Sequence, residues 1–314
     1  MSDKTRRFSS VAVVGAGAIG LYYGIRLALG GAGVRFLMRS DLGEVRRRDS
    51  AILRLKEGAS ELKPVQAFGS AAEIGPVDLV VVTLKTTSNG ELGSLLPPLI
   101  GPETAILTLQ NGLGADELLA TLFGAERVMG GLAFIACNRT GPGEVTCFHP
   151  GSLLVGEFGR PPGERIRGLA NQFEQAGVAT KVADNLESAR WHKLIWNVPF
   201  NGLPIVAGGV TTDRICSDPE LAAEARALME EIRGAAGRLG HTISPEFLRR
   251  QFAVTPGMGP YRPSSLIDFL EGRSVEVESI WGEPLRRAQA AGAAVPRLSL
   301  LHALLKSLDH RPKD

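Results

Sequence analysis

The chain has 314 residues, 44% hydrophobic and 22% charged, a balance that supports packed cores and excludes disorder, collagen-like repeats and a disulfide scaffold. At about 150 residues per domain, the length predicts two domains. A formal charge of +2, from 35 basic and 33 acidic residues well interspersed, gives no support for nucleic-acid or polybasic membrane binding.

Basic residues Lys4, Arg6 and Arg7 precede the apolar run Val11 to Leu29, which could pass for a signal peptide or a short membrane span. Gly15, Gly17, Gly20, Gly24 and Arg26 interrupt that run, so it reads as part of a soluble domain. The three cysteines, Cys137, Cys147 and Cys216, are far apart and never form CxxC. They predict neither a zinc cluster nor a disulfide framework, and reduced thiols in a cytoplasmic protein fit best.

Val11–Val14, Val34–Met38, Leu79–Thr83 and Ala105–Leu109 are short, β-branched apolar runs bounded by turn signals, and they predict buried strands. The stretches between them have helical length, the pattern of parallel strands with crossovers. From Val128 to Glu157 two or three strand-like runs flank the turn-rich Asn138–Gly143, which suits a hairpin. A helix over Arg165–Gln175 and a strand over Thr180–Val182 follow. Beyond about Asp184 only helices are predicted: Leu186–Ala207, Pro219–Leu239, Pro245–Phe252, Ser264–Glu271, Val275–Ala290 and Leu298–Leu308. The fold class is therefore α/β, a Rossmann-type doubly wound sheet over 1–183 followed by an all-helical domain over 184–314. A cleft between the two is the natural place for a substrate.

Gly15-Ala16-Gly17-Ala18-Ile19-Gly20 follows the first strand and opens a helix. Gly15 suits the tight turn, Gly17 a close backbone approach to a pyrophosphate, and Gly20 close packing of helix on strand. The backbone N–H groups of Ala18, Ile19 and Gly20 would face the anion. A ligand-free glycine turn is the plain alternative. The second strand ends in Arg39-Ser40 where an NAD site usually carries Asp or Glu, so Arg39 predicts pairing with a 2′-phosphate and NADPH as cofactor. An ordinary exposed arginine is the competing reading, and Asp41 is close by. Lys85 stands at the ligand edge of the third strand, and Gln110-Asn111-Gly112-Leu113-Gly114 at the end of the fourth. The amide of Asn111 can donate and accept at once, although a plain turn also favours Asn-Gly.

In the helical half, Lys193, Asn197 and Asn201 are four residues apart and share one helix face, surrounded by Leu194, Ile195, Trp196, Val198 and Phe200. Asparagine is a poor helix former, and amides within an apolar helix need partners, which a ligand or other helices would supply. Pro199 predicts a kink. Lys193 is the candidate acid: partial dehydration lowers the pKa of an ammonium, which can stabilise charge growing on a carbonyl oxygen. Glu276 and Glu278 are candidate carboxylate partners, and each taken alone could be a surface glutamate.

The ordered set of Gly15–Gly20, Lys85, Gln110–Gly114, Lys193-x3-Asn197-x3-Asn201, Ser264-x3-Asp268 and Glu276 resembles the ketopantoate reductase (2-dehydropantoate 2-reductase) family over roughly Ser10 to Leu308. The resemblance implies a helical domain related to that of 6-phosphogluconate dehydrogenase. It also implies NADPH-dependent reduction of 2-dehydropantoate to (R)-pantoate in pantothenate and coenzyme A biosynthesis. Lys193 and Glu276 match the catalytic positions, and Asn111, Asn197, Asn201 and Ser264 the substrate positions, with Asn111 near the nicotinamide as well. Arg39 and Lys85 match cofactor-phosphate positions. Glu278 stands where relatives often have aspartate and is left outside the direct contacts. Trp196 and Trp281 are bulkier than in many relatives: each either faces the core or reshapes the pocket. The cysteines match no catalytic position.

The expected function is thus an NADPH-dependent 2-oxo acid reductase, a small-molecule enzyme without metal, nucleic-acid or membrane partner. A reductase of another branched 2-oxo acid and a non-catalytic NADP-binding sensor are the alternatives. An exposed apolar helix face could make a homodimer, while burial within one chain explains the same pattern.

Overall fold

The computed structural model describes Arg7–Asp309, which leaves Lys4 and Arg6 outside the described residues. The chain divides into two compact units. One comprises the residues up to Gln110 together with Ala115–Leu186; the other comprises Asn111–Gly114 and the chain from Glu187 onward.

The first unit is built on a ten-stranded sheet. In chain order the strands are β1 (Ser10–Val14), β2 (Gly33–Leu37), β3 (Ala51–Leu55), β4 (Gly58–Leu62), β5 (Gln66–Phe68), β6 (Val77–Val82), β7 (Ile100–Thr108), β8 (Val128–Gly141), β9 (Glu144–Glu157) and β10 (Thr180–Val182). Neighbours run β5-β2-β1-β6-β7-β8 with every pair parallel, the strand order of a doubly wound dinucleotide fold. The central strands are buried on both faces. Val11, Val13, Leu79 and Val81 enter one core, while Ala12, Val14, Val80 and Val82 enter the other. Two-sided burial is why these strands read as unbroken apolar runs and not as alternating ones.

The sheet continues past β8 in a way the periodicity does not predict. β9 returns antiparallel to β8, pairs parallel with β3 and β10, and β3 closes a hairpin with β4. The expected turn over Asn138–Gly143 is tighter than predicted: β8 extends through Gly141, and Pro142-Gly143 alone separates it from β9. The stretch between β2 and β6, of helical length in the sequence, holds strands β3, β4 and β5 and only two short helices, Leu42–Arg48 and Ala71–Ile74. Its strands are missed because they are marginal in composition. β4 carries glycine, serine and glutamate and is mostly exposed, and β5 has three residues at a sheet edge.

The second unit is helical: Leu186–Val206, Thr212–Ser217, Pro219–Arg238, Pro245–Val254, Ser264–Leu270, Glu283–Ala290 and Pro296–Asp309. Local chemistry sets several starts. The side chains of Asp218 and Ser244 accept from the N–H groups of Leu221 and Phe247, each followed by proline at the first helical position. Trp191, Leu194, Ile195, Val198 and Phe200 of the longest helix pack with Ile232, Trp281 and Leu298. The single helix expected over Val275–Ala290 is corrected: Val275 and Glu276 are outside helical structure, and Glu278–Gly282 is a π turn feeding the α-helix Glu283–Ala290. A π turn widens the backbone by one residue, and such turns collect at functional sites. No helix among the described residues is long and apolar enough to cross a membrane.

Candidate active site

In the first unit the predicted cofactor residues gather at the carboxyl edge of the parallel strands. Gly15 adopts φ +103°, and a Cβ there would lie 2.6 Å from the Leu84 nitrogen, so the turn after β1 presses on the loop after β6. A Cβ on Gly20 would fall 2.1 Å from the Gly15 carbonyl oxygen. A Cβ on Gly17 would meet nothing within 4 Å. The outer two glycines are therefore required by the protein's own packing, while Gly17 borders open space.

The helix Ala18–Leu29 begins at Gly17 with no side chain capping it, so its first N–H groups, those of Ala18, Ile19 and Gly20, remain to be satisfied from outside the helix. This is a cradle for an anion, and it fits a dinucleotide pyrophosphate. Gln110 joins two of the edge loops. Its amide donates to the Leu84 carbonyl at 2.8 Å and to Asn89 Oδ1 at 2.7 Å.

Arg39 and Lys85 are both exposed at this edge. The Arg39 guanidinium is ion-paired with Glu91, an exposed pair of low energetic weight that a phosphate could displace. Asp41 does not compete for a ribose. Its buried carboxylate accepts from the Gly143 N–H at 3.0 Å and the Ser40 hydroxyl at 3.0 Å, and pairs with Arg139 at 3.0 Å. The acid that cautioned against a 2′-phosphate site is thus turned inward, where it ties the start of the Leu42–Arg48 helix to the β8–β9 turn.

In the second unit the Lys193 ammonium donates to Asn111 Oδ1 at 2.8 Å. Asn111 reaches it because Asn111–Gly114 clusters with this unit. The Leu113 N–H donates to the Ser279 carbonyl at 2.9 Å, and a Cβ on Gly112 (φ +81°) would lie 2.1 Å from that oxygen. The π turn thus presents the carbonyl on which the Asn111–Gly114 segment is seated. Glu276 is buried just before this turn, and its backbone carbonyl accepts from the Ser279 hydroxyl at 3.3 Å.

Lys193 keeps some surface exposed but is densely surrounded by protein. Burial, reinforced by the nearby Arg190 cation and opposed by the Glu276 carboxylate, brings its pKa down to about 7. Arg190 carries no functional signal of its own in the sequence. What signal there is lies in the i, i−3 spacing from Lys193 on the same helix, but an isolated arginine in a helix usually reads as solvent-facing.

Asn197 and Asn201, one and two turns beyond Lys193, are both buried. Asn201 Oδ1 accepts from the Ser265 N–H at 3.4 Å, which brings the stripe to the start of the helix Ser264–Leu270, where Ser264 is exposed. Asp268 has a different use: it pairs with Arg273 at 2.9 Å and holds the following loop. Glu278 does not join the Lys193 cluster. It belongs to a half-exposed network with Arg286, His302 and Lys306, and the Arg286 hydrogen bond holds its carboxyl below the usual range.

The two tryptophans separate. Trp281 is fully buried, its Nε1–H donating to the Val198 carbonyl at 3.0 Å, and it lies where a Cβ on Gly202 would clash. It is a core residue. Trp196 is partly exposed, donates to Thr255 Oγ1 at 3.0 Å and stacks on Phe200 with ring centroids 5.2 Å apart. Cys137 and Cys147 are cross-strand partners on β8 and β9, and burial pushes the Cys137 thiol up to about 12, which suits packing and not nucleophilic chemistry.

A doubly wound sheet with a glycine turn, followed by a helical unit carrying a depressed lysine, defines a Rossmann-type protein of the oxidoreductase kind. Comparison with known proteins narrows this. The family model described as ketopantoate reductase PanE/ApbA matches residues 11–160, and that of its C-terminal domain matches residues 185–309. A 2-dehydropantoate 2-reductase of Nostoc sp. is 36% identical over 305 residues, spanning 96% of this chain and 95% of that protein. The crystal structure of 2-dehydropantoate 2-reductase from Geobacter metallireducens GS-15 matches with a TM-score of 0.92 and 41% identity, covering 95% of this chain and 99% of that one. D-mandelate dehydrogenase, solved with NADH and anilino(oxo)acetate, matches at 0.87 with 21% identity over 96% of this chain and 98% of that one, a likeness of fold alone. The chain belongs to the ketopantoate reductase family.

Proposed function

We propose that this protein reduces the ketone of 2-dehydropantoate to (R)-pantoate, a step toward pantothenate and coenzyme A, with NADPH as its cofactor. The observation that carries the reading is the Lys193 ammonium, held by Asn111 beside Glu276 and titrating near neutrality. The relatives named 2-dehydropantoate 2-reductase support the substrate, and the NADH-bound structure of a protein of the same fold supports a nicotinamide cofactor. Arg39, with Asp41 engaged elsewhere, favours the 2′-phosphorylated form.

A bound dihydronicotinamide supplies the hydride. The Gly15–Gly20 turn and the N–H groups of Ala18, Ile19 and Gly20 would hold the pyrophosphate, with Arg39 and Lys85 on the remaining phosphate and ribose oxygens. Lys193 donates a hydrogen bond to the ketone oxygen, stabilises the alkoxide as it forms and passes it a proton. An ammonium with a pKa near the working pH is well matched to that transfer. Asn111 fixes the ammonium, and the Glu276 carboxylate opposes its deprotonation. Asn197, Asn201 and Ser264 would hold the substrate carboxylate and hydroxyl, and Glu276 the hydroxyl as well, so that the ketone is oriented before reaction.

A second reading, reduction of another branched 2-oxo acid, is favoured by the partly exposed and rigidly held Trp196. The test of both is loss of NADPH absorbance with 2-dehydropantoate, 2-oxoisovalerate and pyruvate in parallel, repeated with NADH. Selective turnover of 2-dehydropantoate supports the first reading. Preference for another 2-oxo acid moves the assignment to the second. NADPH binding without reduction of any 2-oxo acid would leave only a cofactor-binding protein.

A further inference from the structure

We propose that Arg190 is the positioning residue for Lys193: it anchors the Asn111–Gly112 turn through the Gly112 carbonyl and sets a second cation beside the ammonium. The inference rests on the reading of Lys193 as the proton donor, and it concerns how that donor is held and kept near neutrality.

Three observations converge on it. Arg190 is 5% exposed, and a charge withdrawn from water acts more strongly on a neighbouring charge. Its Nη1 donates to the Gly112 carbonyl at 3.4 Å, one residue from the amide whose oxygen accepts the Lys193 hydrogen bond. Arg190 and Lys193 stand three apart on one helix, which places their side chains as neighbours. The turn carrying Asn111 is thus held from two sides, by Arg190 at Gly112 and by the Ser279 carbonyl at Leu113.

Two like charges within one helical turn each disfavour the other's charged form, and only the lysine can respond, because a guanidinium stays protonated. Among the described residues, the charged groups that bear on Lys193 include Arg190 from its own helix and Glu276 from the segment before the π turn; Asn111 contributes a neutral acceptor. Arg190 pushes the ammonium toward deprotonation while Glu276 opposes it. The balance gives a proton that leaves readily yet is present at neutral pH.

The experiment compares wild type with Arg190→Gln, Arg190→Lys and Glu276→Gln. The first readout needs no substrate: trace acetic anhydride acylates only neutral amines, and peptide mass spectrometry follows the labelling of Lys193 against pH. Arg190→Gln should move the half-labelling point up by about one to two pH units, tenfold to a hundredfold in proton affinity. Arg190→Lys, which keeps the charge, should stay close to wild type, and Glu276→Gln should move the point down.

The second readout is the pH profile of kcat with 2-dehydropantoate, whose alkaline limb should rise in Arg190→Gln and not in Arg190→Lys. An unchanged labelling midpoint in a folded Arg190→Gln, or equal midpoints for Gln and Lys displaced from wild type, would overturn the proposal. A shifted labelling midpoint without turnover of any 2-oxo acid would uphold the tuning by Arg190 and overturn the reductase reading instead. Should Arg190→Gln not fold, Arg190→Met, uncharged and of similar length, takes its place: a raised labelling midpoint beside an unmoved Arg190→Lys upholds the proposal, and an unmoved midpoint overturns it.

Discussion

The two units build their candidate sites from different materials. In the first the working surface is backbone: a turn in which Gly15 and Gly20 are squeezed by the protein itself, Gly17 borders open space, and the helix after it starts without a side-chain cap. In the second it is side chains, with one lysine held by an amide and set between an arginine and a glutamate. A backbone site is specified by what is missing from the sequence, namely Cβ atoms. A side-chain site is specified by what tertiary packing brings together. The first therefore tolerates almost no substitution at a few glycines, while the second depends on several residues acting on one proton.

The largest effect should come from the lysine. Lys193→Ala is expected to lower kcat by about 10²–10⁴-fold while NADPH affinity, followed by fluorescence titration, stays within a factor of a few. A variant retaining wild-type turnover would sink the assignment of the acid. In the wild type the ammonium must be protonated to act, so kcat should be level at acidic pH and fall as pH rises through about 7. A kcat that rises across that range would contradict the role.

The glycines sharpen the contrast between a packing and a binding requirement. Gly20→Ala should destabilise the fold by about 1–3 kcal/mol or more, because its Cβ has a carbonyl oxygen in its way, and this will appear as a lower Tm. Gly17→Ala should leave Tm unchanged and weaken cofactor binding. If both variants lost stability equally, Gly17 would belong to the packing and not to the binding surface.

Arg39→Ala should weaken NADPH binding by about 10–100-fold, from loss of roughly 1.5–3 kcal/mol of charge-assisted hydrogen bonding, with NADH little affected. Equal losses for both cofactors would remove the 2′-phosphate assignment. Trp281→Phe should cost about 1–3 kcal/mol of stability, since the Val198 carbonyl loses its buried donor, with little change in substrate preference. A changed preference among 2-oxo acids would return this tryptophan to the pocket.

Much of the fold is legible in the residues because it rests on local patterns. The strands that form the sheet centre are apolar runs, and the capped helices of the second unit begin at Asp218-Pro219 and Ser244-Pro245. Strands β3, β4 and β5 are not legible, since their pairing with β9, with each other and with β2 supplies what their composition lacks. The π turn at Glu278–Gly282 also escapes, because a helical periodicity passes through it with one extra residue.

The amino-acid sequence by itself determined the glycine turn, the polar stripe of Lys193, Asn197 and Asn201, and the arginine at the end of the second strand. Each is a matter of residue type at short spacing, where backbone freedom and helix periodicity act directly. Tertiary structure alone decided that Asn111 is the acceptor for Lys193, that Asp41 turns inward, that Trp281 is core, and that Arg190 and Glu276 pull on the same proton in opposite senses. Charge interactions and desolvation depend on distance and burial, and residues separated by many positions along the chain acquire both only when it folds.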